Sequence, residues 1–199
     1  MDKKTTKRPP LKPLGVTCKT TNCSAGLHCF EKTQRETPPN ERGRCISCGA
    51  QLIDWDRVQT KNTADVAYTF QSLKYELWRH RFWHVEIDQR AVNYARRKGR
   101  VGLSQAVERR LRTAIGPALP FHDGFQTPRE GSENPIYYGQ HATACCCRGC
   151  AEKWHGIPRG RSLTDSEIEY LRDLVLLYIA DRLPFLKEQG EWVPPIRRR

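Results

Sequence analysis

From Asp65 onward the chain takes on a helical rhythm. Val66, Phe70, Leu73 and Leu77 recur at spacings of three and four residues, the stripe of an amphipathic helix. Tyr75, Trp78 and Phe82 run along a neighbouring stripe, so this helix is expected to be buried over a wide face. A second helix fits Asp88 to Lys98, with Ile87, Ala91, Tyr94 and Ala95 on its apolar side and Gly99 as its stop. A third begins at Ser104 as N-cap, runs through Val107, Leu111 and Ile115, and ends at Gly116-Pro117. A polar loop rich in Gly, Pro, Asp and Asn covers 120–140, and a short helix is expected near Cys146 to Trp154. The last helix has the fullest signature. Thr164-x-x-Glu167 is a capping box, Ile168, Leu171, Val175, Tyr178 and Ile179 form the buried stripe, and Pro184 ends it.

Alternating strand patterns are absent outside the N-terminal region, which predicts a mainly α protein. The expected organisation is a disordered basic tail over 1–14, a small zinc ribbon-like module over 15–60, a helical domain with a Cys/His cluster over 64–186, and a basic tail over 187–199. The hydrophobic fraction of 38% is lean for a core, so metal is expected to supply part of the stability. No stretch approaches the length of a membrane span. Met1 to Leu14 is basic without an apolar centre, unlike a secretory signal, which points to the cytoplasm.

Nine cysteines then need an explanation other than secretion. Short spacings beside histidines favour metal over disulfides. Cys45-Ile46-Ser47-Cys48-Gly49 is a zinc-knuckle half-site, in which two thiolates share one ion and the glycine lets the backbone turn around it. The preferred set is Cys18, Cys23, Cys45 and Cys48, with Cys29 or His28 as the alternative for one position. A closed site of this kind is structural.

A second cluster fills His141 to His155 with four cysteines and two histidines. Cys147-x2-Cys150 and Cys146-x3-Cys150 both bring thiols together on one helical face. With His141 and His155, Cys147 and Cys150 make a Cys2His2 set. Such a site is either closed or keeps an open position that activates water. The competing possibility is a set of small buried hydrophobes behind Trp154. Zinc, as one or two ions, is the expected cofactor.

The segment from about 82 to 183 resembles an uncharacterised bacterial family, one of the domains of unknown function. The resemblance rests on Asp123-Gly124-Phe125-Gln126-Thr127-Pro128 and on His141 through Pro158. The second motif reads His-Ala-Thr-Ala-x-Cys-Cys-Arg-x-Cys-x-x-Lys-Trp-His-Gly-Ile-Pro. It continues with Gly160-Arg161-x-Leu163-Thr164 and the terminal helix. The family usually has Thr where this chain has Cys145, which implies that Cys145 is not a ligand. Ser132-Glu133-Asn134-Pro135 stands where the family more often has Gly-His-Pro. The resemblance implies a small helical domain with a shared site and brings no activity with it. Polar residues around the cluster, among them Asp123, Gln126, Thr127, Gln140, Arg148 and Arg161, either converge on a cationic pocket or satisfy the backbone of irregular loops.

The net charge of +12 is unevenly placed. Ten basic residues between Arg79 and Arg112 face only Glu86, Asp88 and Glu108. That clustering suggests a polyanion, and nucleic acid is the expected partner through Arg90, Arg96, Arg97, Lys98, Arg100, Arg109 and Arg112. The function expected from sequence is therefore a zinc-binding protein that contacts nucleic acid. The alternatives are a metal-dependent hydrolase or nuclease centred on His141, Cys147, Cys150 and His155, and an adaptor docking a protein through Trp78, Phe82 and Trp83. His80 and His84, four apart on a helix, have ligand spacing but lack the glutamate of a metalloprotease.

Overall fold

The computed structural model describes residues 15–30, 38, 41, 43–129 and 132–196. The expected tail over 1–14 and most of the loop over 31–42 lie outside the described residues. The described residues form seven α-helices and no strand: α1 Trp55–Gln59, α2 Val66–Leu73, α3 Leu77–His84, α4 Gln89–Ala114, α5 Pro135–Ala142, α6 Arg148–His155 and α7 Asp165–Arg182. The protein is mainly α.

The core forms around α7. Its capping box is made as the sequence predicts, with Thr164 accepting from Glu167 N and the Glu167 side chain returning to Thr164 N. Behind that start, Tyr170, Leu171, Leu174, Val175 and Tyr178 are fully buried against α2, α4 and α5. The approach of α5 is close: a Cβ on Gly139 would stand 2.9 Å from Val175 Cγ1.

Helix α5, Pro135–Ala142, overlaps the expected loop over 120–140, because Asn134 caps it by accepting from Ile136 N and Pro135 suits its first turn. Two helix boundaries also differ from expectation, each for an identifiable reason. The stripe from Val66 to Phe82 predicts one helix, but the chain breaks between α2 and α3. The extended residue His28 takes the backbone groups there: its N–H donates to Tyr75 O at 2.7 Å, and its carbonyl accepts from Leu77 N at 3.0 Å. Gly99 interrupts the helix as expected, in a non-helical conformation (φ 64°, ψ 176°), but a helix resumes at once. Thus α4 is two helices joined at a kink, and Ser104 lies inside the second rather than at its cap.

The donors freed by the kink are satisfied by the C-terminal segment, since Arg100 N bonds Lys187 O and Val101 N bonds Glu188 O. The segment after α7 therefore lies along α4, with Glu191 N on Arg96 O and Val193 buried.

Among the described residues, the N-terminal segment has only isolated bridges, Asn22 with Leu27 and His28 with Glu76. Its apolar residues Phe30, Ile53 and Trp55 join the helical core, where Phe30 and Trp55 pack on Trp154 with ring centroids 6.1 and 5.0 Å away. Trp78, Phe82 and Trp83 are also core residues, which removes them as the exposed docking patch of an adaptor.

Replacing Gly99 with Ala is expected to be severe. Its φ and ψ are those of a region essentially reserved for glycine, and the added Cβ would lie 2.4 Å from the Gln189 carbonyl carbon. Chemical denaturation should show a loss of about 2–5 kcal/mol.

Candidate metal centres

The first centre is assembled by two tight turns. Asn22 and Leu27 exchange backbone hydrogen bonds of 2.7 and 3.0 Å, and Gly26 closes the 3-10 turn Cys23–Ala25 at φ 72°, which carries Cys23 and His28 to one side. In the facing knuckle Cys45 N donates to Ala50 O and Gly49 N to Cys45 O, both at 2.9 Å, with Gly49 at φ 72°. A 3.0 Å hydrogen bond between the Thr21 and Ser47 hydroxyls joins the halves.

The ligand atoms of Cys23, His28, Cys45 and Cys48 all lie within 4.8 Å of one another. Cys23 Sγ and Cys45 Sγ are 3.7 Å apart, and Cys48 Sγ is 3.4 Å from His28 Nδ1. A tetrahedral zinc ion with Zn–S of 2.3 Å and Zn–N of 2.0–2.1 Å has edges of about 3.8 and 3.6 Å. The spacing fits such an ion.

The group gathered here has three thiols and an imidazole, the alternative in which His28 takes one position of the expected four-thiolate set. Cys18 is outside the group, with its carbonyl accepting from the Cys29 thiol at 3.0 Å. Burial opposes ionisation of Cys45, but backbone N–H groups of Cys29, Cys48 and Ser47 outweigh it and bring its pKa down to about 6. Burial and the neighbouring thiols push Cys23 up to about 11. One thiol of the group is thus poised as thiolate while another holds its proton.

The second centre sits at the start of α6. Cys147 is the N-cap, accepting from Cys150 N, and Cys146 Sγ lies 3.6 Å from Cys150 Sγ. The ligand atoms of Cys146, Cys147 and Cys150 are within 4.8 Å of one another. Cys146, outside the expected ligand set, therefore belongs to the cluster.

Cys145 does not belong to it. Its thiol lies 3.2 Å from the Thr143 hydroxyl, and burial pushes it up to about 12. His141 and His155 stand outside the three-thiol group. His141 Nε2 faces the carbonyls of Thr127 and Pro128 at 3.2 and 3.1 Å, and His155 Nε2 faces Thr143 O at 3.0 Å. Burial first, with further depression from Arg79, brings both imidazoles down to about 4.

A buried ion pair adjoins this cluster. Glu76 and Arg79 are 1% and 0% exposed and meet at 3.1 Å. Arg79 Nη2 donates to Cys150 Sγ at 3.2 Å and Nη1 to His141 O at 2.8 Å. Glu76 accepts from Trp154 Nε1 at 2.8 Å and from Phe30 N at 3.3 Å. Hydrogen bonds from Cys146 and Cys147, and then the Arg79 charge, hold Cys150 well below the usual thiol range despite its burial.

The flanking polar residues mostly serve loops rather than a pocket. Asp123 accepts from Arg148 N, Thr127 donates to Cys146 O, Gln140 to Cys145 O, and Arg148 to Ile115, Pro158 and Arg161 carbonyls. Arg161 pairs with Glu167. The His80 and His84 rings lie 4.1 Å apart, tilted by 42°, with no third ligand gathered beside them among the described residues.

The family model of a domain of unknown function, DUF4186, matches residues 67–180. The chain belongs to the DUF4186 family. The match begins before the resemblance read from the sequence and takes in α2, the Glu76–Arg79 pair and the second centre. The first centre lies outside it. No solved structure matches the chain.

Arg79→Leu should cost about 3–5 kcal/mol in denaturant unfolding, because it leaves the Glu76 carboxylate buried without its partner. The double variant Glu76→Gln/Arg79→Met should recover part of that loss, since it removes the stranded charge.

Proposed function

We propose that this DUF4186 protein is a zinc-stabilised scaffold whose metal serves structure rather than chemistry, and whose basic surface contacts nucleic-acid phosphates. The first part rests on the ligand atoms of Cys23, His28, Cys45 and Cys48 gathered within 4.8 Å at tetrahedral spacings. Three thiolates and one imidazole fill zinc's four positions and leave none for water, so the site is structural. The N-terminal segment has no strand among the described residues to hold it, and an ion is the natural substitute.

The nucleic-acid reading is narrower than the charge alone implies. Arg90, Arg96, Arg100 and Arg112 are each matched to carboxylates: Glu133, Glu191, Glu188, and Glu108 with Asp165. Arg97, Lys98 and Arg109 are exposed on α4 and, among the described residues, have no carboxylate partner. These three are the residues for phosphate. A hydrolytic reading draws no support from the second cluster, because His155 lies outside the three-thiol group with its two ring nitrogens facing Thr143 O and the Tyr170 hydroxyl. No helix among the described residues is long and apolar enough to cross a membrane.

Metal analysis of the purified chain should find zinc. Cys45→Ser should lose one ion per chain and lower Tm, and a chain that holds no zinc after purification with added metal would refute the scaffold. For the second part, duplex DNA should bind at low salt and dissociate as salt rises. Neutralising Arg97, Lys98 and Arg109 together should reduce the slope of log K against log salt by roughly 2–3. Absence of binding at low salt would sink it.

A further inference from the structure

His141 ends with a nitrogen that nothing satisfies. Its Nε2 lies 3.2 and 3.1 Å from two carbonyl oxygens, Thr127 O and Pro128 O. Carbonyls only accept, so Nε2 carries the proton and Nδ1 presents a bare lone pair. That Nδ1 is buried and has no hydrogen-bond partner among the described residues, in a side chain 4% exposed. This is the state of a metal-ligating histidine, whose second nitrogen is commonly fixed by a backbone carbonyl. His155 differs: Nε2 faces Thr143 O, and Nδ1 is 3.4 Å from the Tyr170 hydroxyl.

The chain also brings His141 to the three thiols. Ala144 turns in the left-handed conformation, at φ 56°, and Cys145 N folds back onto Gln140 O at 2.9 Å. The end of α5 and the start of α6 are thereby set side by side. One guanidinium spans them, with Arg79 on His141 O and on Cys150 Sγ. The spacing of 3.6 Å between Cys146 and Cys150 is again close to a tetrahedral zinc–thiolate edge of about 3.8 Å.

We propose that Cys146, Cys147, Cys150 and the Nδ1 of His141 form a second, closed zinc site, with Arg79 donating to the Cys150 thiolate beside it. Ion binding draws the ring onto the metal and releases the remaining thiol protons to solvent. The site locks α5 to α6 and leaves His155 as a packing residue. It extends the scaffold reading above but does not share its ligands.

The unaltered chain should hold two zinc ions, and Cys45→Ser should retain one. His141→Gln should also retain one, while His155→Gln retains both. If His141→Gln fails to fold, the unaltered chain carries the test instead. With 113Cd in place of zinc and 15N-labelled histidine, His28 and His141 should both show Cd–N coupling, His141 through Nδ1. A single ion that vanishes in Cys45→Ser overturns this second site and leaves the first standing. A chain with no metal overturns both. Two ions retained in His141→Gln, with loss in Cys18→Ser or His155→Gln instead, overturn the assignment of His141.

Discussion

The Glu76–Arg79 pair is the contact on which the rest of the molecule depends. Its carboxylate holds Phe30 of the N-terminal segment and Trp154 of α6, while its guanidinium holds the end of α5 and the Cys150 thiol. Three separate stretches of chain meet on two side chains carried by a fourth. Such a pair contributes little net stability over an apolar substitute, because both charges are desolvated. What it supplies is specificity. An apolar pair tolerates sliding, whereas a fully bonded buried ion pair accepts one arrangement of its neighbours. His28 bridges to the same residue, so the first centre is positioned by the backbone that presents Glu76 to the core.

Electrostatics ties this pair to the thiols. In the proposed second site, three thiolates and one zinc ion would carry a net charge of −1, which a buried site tolerates only with a compensating cation. Arg79 stands against Cys150 to provide it, and Glu76 orients Arg79. Without an ion, hydrogen bonds from Cys146 and Cys147, helped by the Arg79 charge, hold the Cys150 thiol below the usual range. In the proposed second site the metal and the ion pair would form one charge system beside the lean apolar core of this chain.

The sequence made some of this legible and concealed the rest for physical reasons. Local signals were faithful: the capping box of α7, the Cys45–Cys48 knuckle with Gly49, and the spare character of Cys145 all depend on neighbours within a few residues. Long-range competition was hidden. The stripe from Val66 to Phe82 carries no mark of His28, which arrives from far along the chain and takes the backbone groups at the α2–α3 break. Gly99 interrupts its helix as read, but the immediate restart was hidden, because the segment at 187–188 that satisfies the resumed helix cannot be anticipated from its neighbours. The choice of His28 over Cys18 turns on a two-residue bridge rather than on spacing. Glu76 and Arg79, three apart among apolar residues, were the available signal for a buried pair and are otherwise indistinguishable from a surface pair.

The basic region shows why charge counted along a sequence overstates charge presented to a partner. The acidic residues near Arg79 to Arg112 in sequence are few, yet carboxylates from remote segments arrive in the fold: Glu133 before α5, Asp165 at the start of α7, and Glu188 and Glu191 from the C-terminal segment. Exposed pairs of this kind are individually weak, about 0–1 kcal/mol, and a phosphate can displace a carboxylate from any of them. They nonetheless cancel the long-range field of the residues they touch. Arg97, Lys98 and Arg109 keep theirs. A polyanion would engage these first and the paired arginines only by exchange, so its footprint on α4 would be set by what the C-terminal segment and α7 leave uncovered.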